Sequence, residues 1–115
     1  MRWALVLALA LVVAAPAAAA PRVLITPAQT GKTLRLANGG SATLRLSGRW
    51  SWTQPRVSSA AVELTPVAFF RDPGYSEWAV HARAPGRATI RALGTPSCVR
   101  CGLGVSTLRV TIVVP

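Results

Sequence analysis

The feature that most constrains the fold of this chain is a repeated alternation of apolar and polar residues with a period of two. Near the end of the chain every second residue is apolar, at Leu108, Val110, Ile112 and Val114. Because successive side chains of a strand point to opposite faces of a sheet, this pattern is typical of a strand with one buried face. After residue 20, no segment shows the longer period of a helix of more than one turn. The sequence therefore predicts an all-β fold.

Shorter alternating segments precede this strand, and turn-forming residues separate them. Their inward-facing positions are Leu34, Leu36, Ala42, Leu44, Leu46, Trp50, Trp52, Trp78, Val80, Ala82, Ala88, Ile90 and Ala92. The segment from Val62 to Phe70 contains Pro66, which has no N–H for a ladder, so we predict a short or edge strand there. A loop is predicted from Gly94 to Val105. About seven short antiparallel strands in fewer than about 100 residues predict a small immunoglobulin-like β-sandwich.

The first twenty residues have the order of parts found in a cleavable signal peptide. Arg2 is followed by an uncharged apolar stretch from Trp3 to Ala15, then by Pro16 and the small residues 17–20. A charged start, an apolar stretch and small residues at the cut define an export signal. An uncleaved membrane anchor is the alternative, but Pro16 and the weakly apolar alanines disfavour a spanning helix. We therefore predict a signal peptide at 1–20, a sandwich domain at 21–115, and a secreted, periplasmic or cell-envelope location.

The chain is strongly basic, with 13 lysine and arginine residues against 3 aspartate and glutamate residues and a net charge of +10. Such a field favours anionic partners. The basic residues are spread singly along the sequence, however, and the excess of arginine over lysine also fits a general compositional bias. We expect no specific nucleic acid partner. The alternative partner is an anionic cell-wall polymer or a membrane surface, bound by arginines on outward strand faces: Arg35, Arg45, Arg87, Arg91 and Arg109.

The chain has two cysteines, Cys98 and Cys101, inside the predicted loop. A thioredoxin-like redox centre would need the first thiol at the start of a helix, which Pro96 and Gly102 do not favour. A zinc site would need about four ligands, more than two cysteines and a single histidine provide. A disulfide fits an exported protein. Because it would close only about four residues, we expect it to contribute about 2 kcal/mol and mainly to stiffen the loop.

The sequence offers little equipment for catalysis. His81 lies on an outward strand position with no carboxylate or nucleophile in a recognisable setting, so we interpret it as a solvated histidine. Glu63, Asp72 and Glu77 are too few for a convincing acid–base pair. We predict a non-enzymatic protein without metal or cofactor. A thiol oxidoreductase is the third and weakest interpretation.

The three tryptophans after the signal have two interpretations. Trp50, Trp52 and Trp78 supply the large side chains that a small sandwich needs between its sheets. Alternatively, one of them reaches the end of its strand as a recognition residue. Trp50, directly after the break at Gly48, is the candidate for that role.

The spacing in the second half of the chain resembles that of the chagasin-type inhibitors of papain-like cysteine proteases. A glycine turn, an aromatic–apolar–alanine strand, a second glycine turn and an apolar strand are formed by Gly74, Trp78, Val80, Ala82, Gly86 and Ile90. Gly39, Leu44, Leu46 and the tryptophan strand extend the likeness to residues 29–114. The resemblance implies an exported immunoglobulin-like domain that plugs a protease cleft with three loops at one end of the sandwich.

The resemblance covers the scaffold and not the inhibitory motifs. In the family the first loop carries Asn-Pro-Thr-Thr-Gly, the second is glycine-rich and the third carries Arg-Pro-aromatic, and none of these is intact here. By position, the resemblance implies these binding residues: Gly48, Arg49 and Trp50; Arg71, Asp72, Pro73, Gly74 and Tyr75; Thr95, Pro96, Val99 and Arg100. The implied partner is a protein, in its sharpest form a papain-like cysteine protease. We expect the loops to emerge at the same end of the sandwich.

Overall fold

The computed structural model describes residues 23–115, which form nine strands and one short 3₁₀ helix. The predicted signal peptide lies outside the described residues. In chain order the elements are β1 (Val23–Ile25), the 3₁₀ helix (Pro27–Gln29), β2 (Thr33–Arg35), β3 (Ser41–Ser47), β4 (Trp50–Trp52), β5 (Arg56–Val57), β6 (Val62–Pro66), β7 (Tyr75–Ala82), β8 (Gly86–Pro96) and β9 (Ser106–Val114). None of the helical structure within 23–115 has the length and apolar character to cross a membrane.

The strands form two sheets that face each other as a sandwich. One sheet has four strands in the order β1-β3-β7-β6, and the other has the order β2-β9-β8-β4 with β5 also paired to β8. The predicted all-β sandwich is confirmed. The strands were predicted to be antiparallel, and this is wrong for two pairs: β1 pairs with β3 in parallel, and β2 pairs with β9 in parallel.

The two parallel pairs arise because the start of the described chain crosses from one sheet to the other. The 3₁₀ helix makes the corner, and Thr26 and Gln29 close it with a capping box. Thr30 Oγ1 then donates to the carbonyl oxygen of Thr107 at 2.8 Å, and the N–H of Gly31 donates to that of Arg109 at 2.8 Å. Gly31 has φ +85°, a value that favours glycine. These bonds position β2 at the edge of the second sheet, next to β9.

The core lies between the sheets and consists mainly of the alternate residues that the sequence pattern indicated, together with Ile25 of β1, which the pattern did not identify. The fully buried side chains of largest volume are Ile25, Leu44, Leu46, Val80, Ile90, Leu108, Val110 and Ile112. Trp52 and Trp78 pack against this core while keeping part of their surface exposed. The residues between the buried positions face water on both sheets, as a period of two requires.

The boundaries differ from the prediction at two places. The segment predicted as a short or edge strand from Val62 to Phe70 is an edge strand, β6, but it ends at Pro66 and not at Phe70. The strand β8, however, continues through Pro96, so the loop begins at Ser97 and not at Gly94. The extension is held by β4, whose Trp50, Ser51 and Trp52 lie opposite Pro96, Thr95 and Gly94. Thr95 and Pro96 are therefore strand residues.

Candidate functional site

Three connections lie together at one end of the sandwich, and we call them the loop end. The first loop is 48–49 between β3 and β4, the second is 67–74 between β6 and β7, and the third is 97–105 between β8 and β9. Backbone hydrogen bonds join them directly. The N–H of Gly48 donates to the carbonyl oxygen of Gly74 at 2.8 Å, and the N–H of Ser97 donates to that of Arg49 at 2.9 Å. The short first loop thus connects the two longer ones.

The contact between the first and second loops requires a glycine at position 48. A Cβ atom on Gly48 would lie 2.9 Å from the carbonyl oxygen of Gly74, closer than real Cβ contacts. The second loop meets it through a turn in which the N–H of Gly74 donates to Asp72 Oδ1 at 2.8 Å. Gly74 has φ +82°, which favours glycine there as well. Both glycines therefore fix the relative position of the two loops.

The third loop is tied to the first by two side chains. Ser97 Oγ donates to the carbonyl oxygen of Gly48 at 3.1 Å. Trp50 Nε1 donates to the carbonyl oxygen of Gly104 at 2.8 Å. This bond joins the start of β4 to the C-terminal end of the third loop. Trp50 is thus half-buried and not a fully buried core residue, and it holds the third loop through this hydrogen bond.

A disulfide between Cys98 and Cys101 closes the turn of the third loop, as predicted. The Cα atoms are 5.8 Å apart, and both residues are exposed. Beside the disulfide, an open groove of about 440 Å³ is lined by Arg49, Ser97, Cys98, Cys101 and Leu103. The disulfide contacts this groove and not the core, so its effect is on the loop.

We expect the double substitution of Cys98 and Cys101 by serine to leave the sandwich folded. The lost cross-link spans about four residues, so the free energy of unfolding should fall by no more than about 2 kcal/mol. Denaturant unfolding measures this loss, and limited proteolysis should show new cleavage within residues 97–105. A variant that does not fold would contradict the assignment of the disulfide to the loop alone.

The second loop is anchored to the four-stranded sheet by a series of contacts that begins at Phe69. The rings of Phe69 and Tyr75 meet edge to face with centroids 5.5 Å apart. The guanidinium carbon of Arg45 lies 4.8 Å from the centre of the Tyr75 ring, and Arg45 Nε donates to Glu77 Oε1 at 2.7 Å. That hydrogen bond to Glu77 raises the pKa of Arg45. These contacts hold Phe69 against the sheet, next to the exposed Phe70.

Exposed apolar side chains are concentrated on the loop end. Of the seven large apolar side chains exposed within residues 23–115, five lie on the second and third loops: Val67, Phe69, Phe70, Val99 and Val105. Phe70 and Val99 are fully exposed, at 103% and 101%. Apolar side chains grouped at one end of a domain mark a binding surface more often than isolated ones do. Sequence reasoning missed Phe69 and Phe70 because it assigned them to the apolar segment of an edge strand.

The predicted binding residues are brought together in part. Gly48, Arg49, Gly74 and the exposed Arg71, Asp72 and Pro73 lie in the first two loops, and Val99 and Arg100 lie exposed in the third. Trp50 and Tyr75 begin β4 and β7 beside these loops. Thr95 and Pro96 lie in β8 opposite Ser51 and Trp50, just below the third loop.

The remaining polar candidates lie elsewhere and make simple contacts. His81 is exposed on β7, with Nδ1 3.0 Å from Ser41 Oγ. Glu63 pairs with Arg83 and Glu77 pairs with Arg45. Within residues 23–115, no group of three or more histidine, cysteine, aspartate or glutamate side chains is arranged to hold a metal ion.

Solved structures that share this fold include cysteine protease inhibitors. EhICP2, the cysteine protease inhibitor from Entamoeba histolytica, has 13% identity and a TM-score of 0.61, with 81% of this chain and 94% of that chain covered. Amebosin has 17% identity and a TM-score of 0.58, with 84% and 100% covered. PbICP-C, solved in complex with falcipain-2, has 13% identity and a TM-score of 0.52, with 81% and 99% covered.

No protein-family profile and no curated protein matches the sequence. The structural likeness confirms the predicted resemblance to the chagasin-type scaffold. At these identities the likeness concerns the fold and not the residues that bind a partner.

Proposed function

We propose that this protein is a non-enzymatic inhibitor of papain-like cysteine proteases that acts outside the cytoplasm through its loop end. The observation that carries the proposal is the grouping of exposed apolar side chains on two loops that the first loop holds together. The fold is one that EhICP2, a cysteine protease inhibitor, also has. The inhibitory sequence motifs of the family are absent, so the contacts must be this chain's own.

The loop end presents two exposed apolar side chains, one on each of the two loops that flank the short first loop. Phe70 projects from the second loop and Val99 from the third, and the first loop between them is only two residues long. Because the first loop is short, Phe70 and Val99 can enter a protease cleft on either side of the catalytic cysteine. Without a scissile segment in the centre, such an inhibitor blocks access and is released intact, so we expect reversible, competitive inhibition.

Preorganised loops favour this role energetically. Ordering flexible side chains and loops on binding costs free energy that subtracts from the affinity. Here the first loop is hydrogen-bonded to the second and third, Trp50 spans to Gly104, and a disulfide closes the tip of the third. Each restraint is present before a partner arrives. The loops therefore lose less conformational freedom on binding than three independent loops would.

An inhibition assay with the oxidised, folded protein tests the proposal. We expect competitive inhibition of at least one member of a panel of papain-like cysteine proteases at micromolar inhibitor or below. A serine protease of the trypsin type serves as the control and should retain its activity. If every cysteine protease in the panel stays fully active at these concentrations, the proposal is wrong.

The alternative proposal from the sequence, binding of an anionic envelope polymer or membrane surface, does not use the loop end. Of its five arginines, Arg45 lies on the four-stranded sheet and is paired with Glu77. The other four lie on the five-stranded sheet, which the loop-end function leaves without a role.

A further inference from the structure

The outer face of the five-stranded sheet carries an unusual arrangement of positive charge, and we call it the arginine face. Five arginines lie exposed on it: Arg35 from β2, Arg56 from β5, Arg87 and Arg91 from β8, and Arg109 from β9. Four of them were noticed in the sequence, but Arg56 was not. Its place on this face depends on the pairing of β5 with β8, which the sequence pattern did not predict.

Three of these arginines lie side by side in one row across the sheet. Arg56 is directly opposite Arg91 in the register of β5 and β8, and Arg91 is directly opposite Arg109 in that of β8 and β9. Neighbouring strands are about 4.8 Å apart, so the row places three guanidinium groups on a line of about 10 Å at the backbone. Like charges directly opposite each other destabilise a sheet. The row is therefore a cost to the fold of the free protein.

No carboxylate compensates this row. The whole chain has three acidic residues. Glu63 pairs with Arg83 and Glu77 pairs with Arg45, while Asp72 accepts a hydrogen bond in the second loop. All three lie away from the arginine face. Two of the three carboxylates are thus paired with arginines outside the arginine face, and the row is left unpaired.

The row also lies in a groove. The segment between β4 and β5 is hydrogen-bonded to β8 through Thr53 and Leu93. The groove of about 850 Å³ beside this segment is lined by residues that include Thr53, Gln54, Arg56, Arg91, Leu93, Thr107 and Arg109. Threonine hydroxyls, an amide and guanidinium groups are all donors to an anionic oxygen. Guanidinium groups bind carboxylate and sulfate in a bidentate manner, with strong charge-assisted hydrogen bonds.

A second pair of arginines continues the charge along the strands. Arg35 and Arg87 flank Val113 in the next basic row, since both are opposite it in their registers. Val113 is four residues from Arg109 on β9, so the two rows are separated by about 13 Å along the strand. Two rows at that separation can contact successive charged groups of one extended polymer, which gives the face more than one point of attachment.

We propose that the arginine face binds an extended acidic polysaccharide, with the row of Arg56, Arg91 and Arg109 as its central anion site. The exposed positions of these strands hold arginine and threonine, with Leu93 and Val113 as their large apolar side chains and no aromatic ring. A surface for single-stranded nucleic acid would present aromatic rings for base stacking, and a surface for a membrane would present a larger apolar area. The face lies along the strands and not at their loop end, so the two surfaces work independently.

Binding of heparin, used as a sulfated linear polysaccharide, tests the proposal by calorimetry at several salt concentrations. We expect affinity that falls steeply with salt, and a loss of about tenfold at low salt for Arg91→Gln, which removes the middle of the row. Arg83→Gln is the matched control, because it removes the same charge from outside the face. A loss of the same size in both variants would show that net charge alone binds the polymer, and would overturn the proposal.

Two further measurements separate the proposal from its alternatives. Single-stranded DNA and vesicles containing anionic lipid should bind more weakly than heparin at equal salt. Tighter binding of either one, lost in Arg91→Gln, would assign the face to that ligand class instead. Independently, Arg91→Gln should raise the unfolding temperature at low salt, because it relieves repulsion in the row. A lowered unfolding temperature would show that the row is not a strained anion site.

Discussion

Replacing Phe70 and Val99 together by aspartate should weaken inhibition of a papain-like protease by at least about 100-fold, because each change removes an exposed apolar contact and buries a carboxylate on binding. Both side chains are fully exposed in the free protein. The substitutions should therefore leave the free energy of unfolding within about 0.5 kcal/mol of its original value. Inhibition constants measured beside denaturant unfolding curves separate the two effects.

The matched control for this variant is Leu24→Asp. Leu24 is also an exposed apolar residue, but it lies on β1 outside the loop end. We expect it to inhibit as the original protein does. If Leu24→Asp and the loop variant lose inhibition equally, or if neither loses it, the loop end is not the contact surface.

The second large effect is expected from a single methyl group at position 48. Gly48→Ala would place Cβ 2.9 Å from the backbone carbonyl oxygen of Gly74, which is held in place by its hydrogen bond from the N–H of Gly48. Relief requires the first and second loops to separate. We expect a loss of about 1–3 kcal/mol in the free energy of unfolding, as in other overpacked sites. Because the loops move apart, inhibition should fall as well.

Gly104→Ala provides the comparison. A Cβ atom on Gly104 meets no other atom within 4 Å, and its φ is not in the left-handed region. The same substitution in the third loop should therefore change the unfolding free energy by no more than about 0.5 kcal/mol. Equal destabilisation by the two substitutions would show that glycine flexibility, and not the close approach of two loops, is what matters at position 48.

The strands that the sequence predicted best are those whose two faces differ most. In β9 from Thr107 to Ile112 and in β8 from Arg87 to Ala92, inward residues are apolar and outward residues are polar or charged, so the period of two determined which side is buried. The alternation specifies the faces of a strand but not its neighbours. For that reason the parallel partners of β1 and β2 could not be predicted, since they depend on the crossing between the sheets at the 3₁₀ helix.

The candidate site could be predicted only in outline. The turn signals at Gly48 and Gly74 and the cysteines located the loops, but their mutual contacts depend on the three-dimensional arrangement of the strands. Phe69 and Phe70 were misassigned because two aromatic residues after an apolar segment favour a strand. The deciding signal was Pro66, which ends β6. Phe69 and Phe70, between that proline and the turn at Pro73, lie in a loop and remain exposed.

The place of β9 in the five-stranded sheet has a consequence for how the chain acquires its structure. β9 lies between β2 and β8, and Thr33 of β2 pairs with Thr111, which is 78 residues further along the chain (111 minus 33). Because a ribosome adds only about 5–20 residues per second, several seconds pass between the synthesis of β2 and that of its neighbour β9. Until then the five-stranded sheet lacks the strand that joins β2 to β8, and the core lacks Leu108, Val110, Ile112 and Val114. We therefore expect the complete sandwich to form only after β9 has been synthesised.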